Sequence, residues 1–96
     1  MHRSGLTELE VVMAVVRRGS FRAAAQELGM SATAVSNAIA GLESRLDTRL
    51  FNRTTRSVAL TDAGQRYVAR IGPALQEIRL ASEELHSDTG ELTATQ

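Results

Sequence analysis

Cysteine is absent from these 96 residues, which excludes a disulfide framework, a thiolate nucleophile and cysteine-based zinc sites. The two histidines, His2 and His86, lie one near each end and make a poor metal pair. Aromatic residues amount to 3%, so aliphatic side chains and alanine must fill the core. No apolar run approaches the length of a bilayer span. Leu9 to Val16 is interrupted by Glu10 and closed by Arg17 and Arg18, so it reads as a helix face rather than a signal sequence. With no glycine-rich phosphate loop and no cluster of histidines and carboxylates, an enzyme is the weakest reading, and no cofactor is implied. The length suits one small, soluble, cytoplasmic domain with a single modest core.

Net charge is zero, which ordinarily argues against a nucleic-acid partner. Its distribution reverses that argument. Residues 17–56 carry seven arginines against Glu27, Glu43 and Asp47, a net +4, while residues 61–96 carry three arginines against six carboxylates, a net −3. A basic front and an acidic rear orient a molecule on a polyanion while keeping it soluble.

The stretch from Ser20 to Leu46 organises the chain. Ser20 and Ser31 each stand one residue before an apolar-periodic run, where a hydroxyl can accept a first-turn N–H. Gly29 follows Leu28, where a helix commonly ends in a left-handed residue. The spacing predicts a two-turn helix facing Phe21, Ala24, Ala25 and Leu28 inward, then a second helix burying Val35, Ile39, Leu42 and Leu46. The opposite face of the second helix is left with Ala32, Thr33, Ser36, Asn37 and Ala40. A short helix, a tight glycine turn and a helix with a small, polar outer face describe a helix-turn-helix, whose second helix enters the major groove of DNA.

Before this motif, Thr7-x-x-Glu10 reads as a capping box opening a helix to about Arg18, its start at Thr7 or a residue or two earlier, with Leu9, Val12, Met13 and Val16 toward the core. After it, Leu50 and Phe51 are apolar anchors, and Val58 and Leu60 alternate as in a short half-buried strand. The polar segment between them has Arg53 and Arg56 at its shoulders, which makes a wing with a basic tip. Thr61 then caps a long helix in which Gly64, Val68, Ile71, Leu75, Ile78, Ser82 and Leu85 form a heptad seam. Such a seam calls for a second helix, most simply from an identical chain, although its N-terminal part can fold back on the first helix. Pro73 should bend this helix, and from Ser87 onward a frayed tail is expected.

The order of these parts and the wording of their motifs resemble the N-terminal DNA-binding domain of LysR-type transcriptional regulators. The carrying residues are G-S-F-R-A-A-A-Q-E-L (19–28), S-A-T-A-V-S-N-A-I-A-G-L-E (31–43), R-L-F-N-R-T-T-R-S-V-A-L-T (49–61) and A-G (63–64), and the likeness covers about residues 6 to 85. The resemblance implies a mainly α fold: a winged helix-turn-helix with a two-stranded β wing over residues 1–60, followed by a linker and dimerisation helix over 61–96. It also implies that the linker helix pairs antiparallel with its twin. A larger effector domain, binding a small molecule, normally follows in the family and is expected to be missing from this chain. Carried over by position, Ala32, Thr33, Ser36 and Asn37 of a recognition helix (32–46) read bases. Ser20, Arg22 and Arg49 hold the backbone, and Arg53, Thr54 and Arg56 act from the wing (52–57). The dimer helix contributes Val68, Ile71, Leu75, Ile78 and Leu85.

Three positions depart from the family's habit. Ala32 stands where glutamine is frequent, and Asn37 where a basic residue is frequent; asparagine suits adenine better than phosphate. Asp47 stands at a turn position where glycine is usual, a change expected to alter the local turn. The sequence thus points to a dimeric, sequence-specific binder of double-stranded DNA. The rival is a helical dimerisation module with a purely structural helix-turn-helix, which would need the heptad seam and not the arginines.

Overall fold

Six elements follow one another: α1 (Gly5–Arg18), α2 (Phe21–Leu28), α3 (Ala32–Leu46), β1 (Phe51–Arg53), β2 (Val58–Leu60) and α4 (Asp62–Thr95). They come from a computed structural model that describes residues 5–53 and 58–95, with side chains over 7–53 and 58–86. The architecture is a winged helix-turn-helix with a two-stranded antiparallel ribbon and a long trailing helix.

α1 starts at Gly5, so Thr7 lies inside its first turn and the expected capping box does not form. Glu8 occupies that turn instead, where an anion suits the helix dipole, and its carboxylate pairs with Arg45 of α3. The inner face also differs from the expected one. Val11, Val12, Ala14 and Val15 are buried, whereas Leu9 and Val16 are only partly covered and Met13 is half-buried. α1 touches α2, α3 and α4, and a helix with three neighbours buries more than the single stripe that amphipathic spacing picks out.

The helix-turn-helix forms as its caps dictate. Ser20 is extended and its Oγ accepts the Ala23 N–H at 2.9 Å; Ser31 Oγ accepts that of Ala34 at 3.0 Å. Both helices end in the same lock. Gly29 is left-handed (φ 67°), with the Met30 N–H donating to the Ala25 carbonyl at 2.9 Å. Asp47 repeats this geometry at φ 51°, with the Thr48 N–H donating to the Glu43 carbonyl at 3.1 Å. The aspartate therefore adopts the left-handed cap conformation. Ala24 and Ala25 are buried and let α3 cross closely, presenting Val35, Ala38, Ile39 and Leu42 to the core. Leu46, expected inside, is 37% exposed: the chain turns at Asp47 and sends Leu50 and Phe51 into the core in its place.

The ribbon pairs Phe51 with Leu60 and Arg53 with Val58. Behind it, Thr61 joins wing to helix. Its Oγ accepts the Gly64 N–H at 2.9 Å as an N-cap, its hydroxyl donates to the Arg49 carbonyl at 2.7 Å, and its N–H donates to the Leu50 carbonyl at 2.9 Å. Gly64 is buried against that same carbonyl; a Cβ there would lie 2.2 Å from the Leu50 oxygen. α4 then runs for 34 residues, about 51 Å at 1.5 Å per residue, and remains helical through Pro73. Its backbone stays helical to Thr95, past Ser87, where fraying is expected from the sequence. Val68 and Ile71 pack on the core and Leu75 is buried, but Ile78, Leu80 and Leu85 stand exposed.

Candidate nucleic-acid interface

The residues expected to read bases share one stripe of α3. Ala32, Thr33, Asn37 and Ala40 are exposed and Ser36 is half-buried, all on the side away from buried Val35, Ile39 and Leu42. Steps of four along a helix place positions 32, 36 and 40, or 33 and 37, above one another. Short side chains there leave the backbone close to anything that docks. The stripe starts at the N-terminus of α3, whose dipole favours an anion.

Backbone-contact candidates flank this stripe. Ser20 Oγ accepts the Ala23 N–H, which leaves its hydroxyl hydrogen available to a phosphate oxygen. Arg22 and Arg49 are exposed and form no ion pair among the described residues. Arg49 is fixed through its carbonyl, which accepts from the Thr61 hydroxyl. The basic front is smaller than the arginine count suggests, because Arg17 pairs with Glu27 and Arg45 with Glu8.

Arg53 lies against the helix-turn-helix. Successive side chains of a strand alternate faces, so Arg53 shares the inner face of β1 with buried Phe51, while Asn52 is exposed on the other. Phe51 meets Phe21 edge-on, with ring centroids 6.1 Å apart at 82°. The Arg53 guanidinium sits over that same Phe21 ring, its Cζ 4.7 Å from the centroid, and donates from Nη1 to Ser36 Oγ at 3.4 Å. Thr54 and Arg56 fall outside the described residues.

Two residues that sequence reasoning did not assign to the interface hold this arrangement. Glu43 Oε2 accepts the N–H groups of Leu50 (2.7 Å) and Phe51 (3.2 Å), tying α3 to the first strand of the wing. No local pattern announces a bond to residues seven and eight positions ahead. Phe21 was legible as a core residue but not as the platform for an arginine; the period-two alternation of Phe51 and Arg53 was the available signal. Of the expected dimer residues, Val68, Ile71 and Leu75 are engaged inside the protomer, and Ile78 and Leu85 lie on exposed helix. Among the described residues, no helix is long and apolar enough to cross a membrane.

Known proteins show the same parts. Over 84 residues the chain is 48% identical to the HTH-type transcriptional regulator YcaN of Escherichia coli (strain K12), covering 88% of this chain and 28% of that protein. The full-length Vibrio cholerae virulence activator AphB, a member of the LTTR protein family, superposes with a TM-score of 0.77 at 30% identity, covering 83% of this chain and 28% of that one. The BenM DNA-binding domain, solved in complex with benA site 1 DNA, gives a TM-score of 0.71 at 26% identity, covering 92% of this chain and 94% of that one. The chain spans under a third of the length of YcaN and of other transcriptional regulators similar to it in sequence. Residues 6–65, from the body of α1 through the wing to the start of α4, match the model for bacterial regulatory helix-turn-helix proteins, and this chain belongs to their lysR family.

Proposed function

We propose that this chain binds double-stranded DNA sequence-specifically as a homodimer, forming the DNA-binding and dimerisation part of a cytoplasmic transcription regulator. Residues 1–60 make the DNA-binding unit and 61–96 the linker helix. Thr33, Ser36 and Asn37 contact base edges in the major groove, and the Ala32 methyl can pack on a thymine methyl. Ser20, Arg22 and Arg49 fix the register on phosphates, with Arg53 and Arg56 adding charge and Thr54 a hydroxyl from the wing. Ile78 and Leu85, one heptad apart and exposed on α4, offer the surface for a second copy. Small-molecule sensing is assigned, on the resemblance, to a C-terminal effector domain outside these residues.

The observation that carries this reading is the uncovered stripe at the start of α3 with Arg53 beside Ser36. Titrating salt in an equilibrium binding assay tests it. With four to six phosphates neutralised per protomer, log K should fall against log salt with a slope of about −4 to −5 per protomer. Affinity that does not respond to salt overturns the reading, and a well-folded dimer that binds no duplex leaves a dimerisation module in its place.

A further inference from the structure

We infer that Arg53 is a positioning residue for base recognition: it holds Ser36 as a hydrogen-bond donor toward the major groove. This rests on the DNA-binding reading above and adds a selectivity to it. A serine hydroxyl can donate or accept, so by itself it discriminates poorly between base edges. Here Oγ already accepts from Arg53 Nη1, and Ser36 makes no second hydrogen bond among the described residues. Its hydrogen is left to point away from the guanidinium, and the one lone pair still open on Oγ lies beside that cation. The adjacent positive charge also makes a base amino group an unfavourable neighbour. Purine N7, guanine O6 and thymine O4 are then accepted, and the amino groups of adenine and cytosine are disfavoured.

The guanidinium is placed for this task by packing. Phe51 fixes the strand face, Phe21 meets Phe51 edge-on, and Arg53 lies over the Phe21 ring. A flat guanidinium can stack and donate in one fixed direction, which an ammonium on a flexible stem does not reproduce.

The test uses the 96-residue chain, the duplex it selects from a random pool, and that duplex with each base pair of the half-site changed in turn. Affinities are compared for the wild type, Arg53→Lys, Arg53→Ala, Ser36→Ala and the Arg53→Lys/Ser36→Ala double variant. The base pair whose discrimination collapses in Ser36→Ala is the one the hydroxyl reads. At that pair alone, Arg53→Lys should lower discrimination about fivefold to tenfold, as one lost base hydrogen bond would. Because lysine keeps the charge, the salt slope should stay within about 0.5 of the wild-type value. The double variant should discriminate no worse than Ser36→Ala. The inference is overturned if Arg53 variants weaken every duplex by one common factor, if Arg53→Lys leaves discrimination intact, or if Ser36→Ala alters it nowhere. In those three cases DNA binding itself stands; a wild-type chain that binds no duplex overturns both.

Discussion

Where α4 leaves the wing, polar groups are matched and space is filled. Thr61 makes hydrogen bonds through its N–H and its hydroxyl, and Gly64 sits against a carbonyl with no room for a methyl. Along the outer rim of α3 the opposite holds, for Thr33 and Asn37 are exposed with no hydrogen-bond partner among the described residues. The first region converts its side chains into fold stability. The second keeps the side chains of Thr33 and Asn37 unpaired among the described residues, available to a partner. Substitutions at the two regions should therefore separate cleanly, one set changing stability and the other changing which duplex wins.

The largest effect is expected at the junction. Gly64→Ala puts a methyl 2.2 Å from the Leu50 oxygen and 2.9 Å from Leu60 Cδ2. The carbonyl cannot retreat cheaply, because it accepts from the Thr61 N–H and, at 3.3 Å, from the Thr61 hydroxyl. Alanine is the better helix former by about 1 kcal/mol, but overpacking against fixed backbone should outweigh it and destabilise the fold by about 3 kcal/mol. Urea unfolding followed by circular dichroism measures this; an unchanged midpoint would mean that the junction gives way.

At the rim the expected result is the reverse. Asn37→Ala should leave the unfolding midpoint almost unmoved, since the side chain is exposed and has no partner among the described residues. It should cost about 1–3 kcal/mol of discrimination at one base pair. Competition binding against single-base variants reads this directly. A large loss of stability instead would move Asn37 from the rim to the scaffold and erase the contrast.

How much of either region the sequence disclosed follows the range of the interactions involved. Ser20, Ser31 and Gly29 act within four residues, and their caps appear as read. The second wing strand was legible because Val58 and Leu60 alternate around Ala59, and the first only as the apolar anchors Leu50 and Phe51. The misread packing depends on distant neighbours. α1 buries Val11, Ala14 and Val15 because three helices surround it, which its own periodicity does not encode. Leu46 is displaced by residues beyond the turn, and Glu43 bonds to a strand not yet begun at its position. The rim itself was legible as a leftover, the polar face of a helix whose other face is apolar. Its link to Arg53 required knowing which side of β1 meets α2.

The smallest effect lies between the two regions, at the turn joining α3 to the wing. Asp47 is the one described non-glycine residue with positive φ, and it closes α3 with the same pair of backbone bonds that Gly29 uses to close α2. A Cβ in that conformation is strained, and a carboxylate at a helix C-terminus faces the negative end of the dipole. Glycine removes both costs but brings a more flexible unfolded chain, which takes back part of the gain. The balance for Asp47→Gly should be a stabilisation of about 0.5–1 kcal/mol, read as a raised unfolding midpoint with an unchanged slope. Binding should follow stability only weakly, because Glu43 and the Leu50 and Phe51 N–H groups hold the wing from either side of this turn. If Asp47→Gly instead lowers affinity severalfold while raising the midpoint, the stiffness of this turn belongs to the interface, and the division between scaffold and rim runs through residue 47 rather than beyond it.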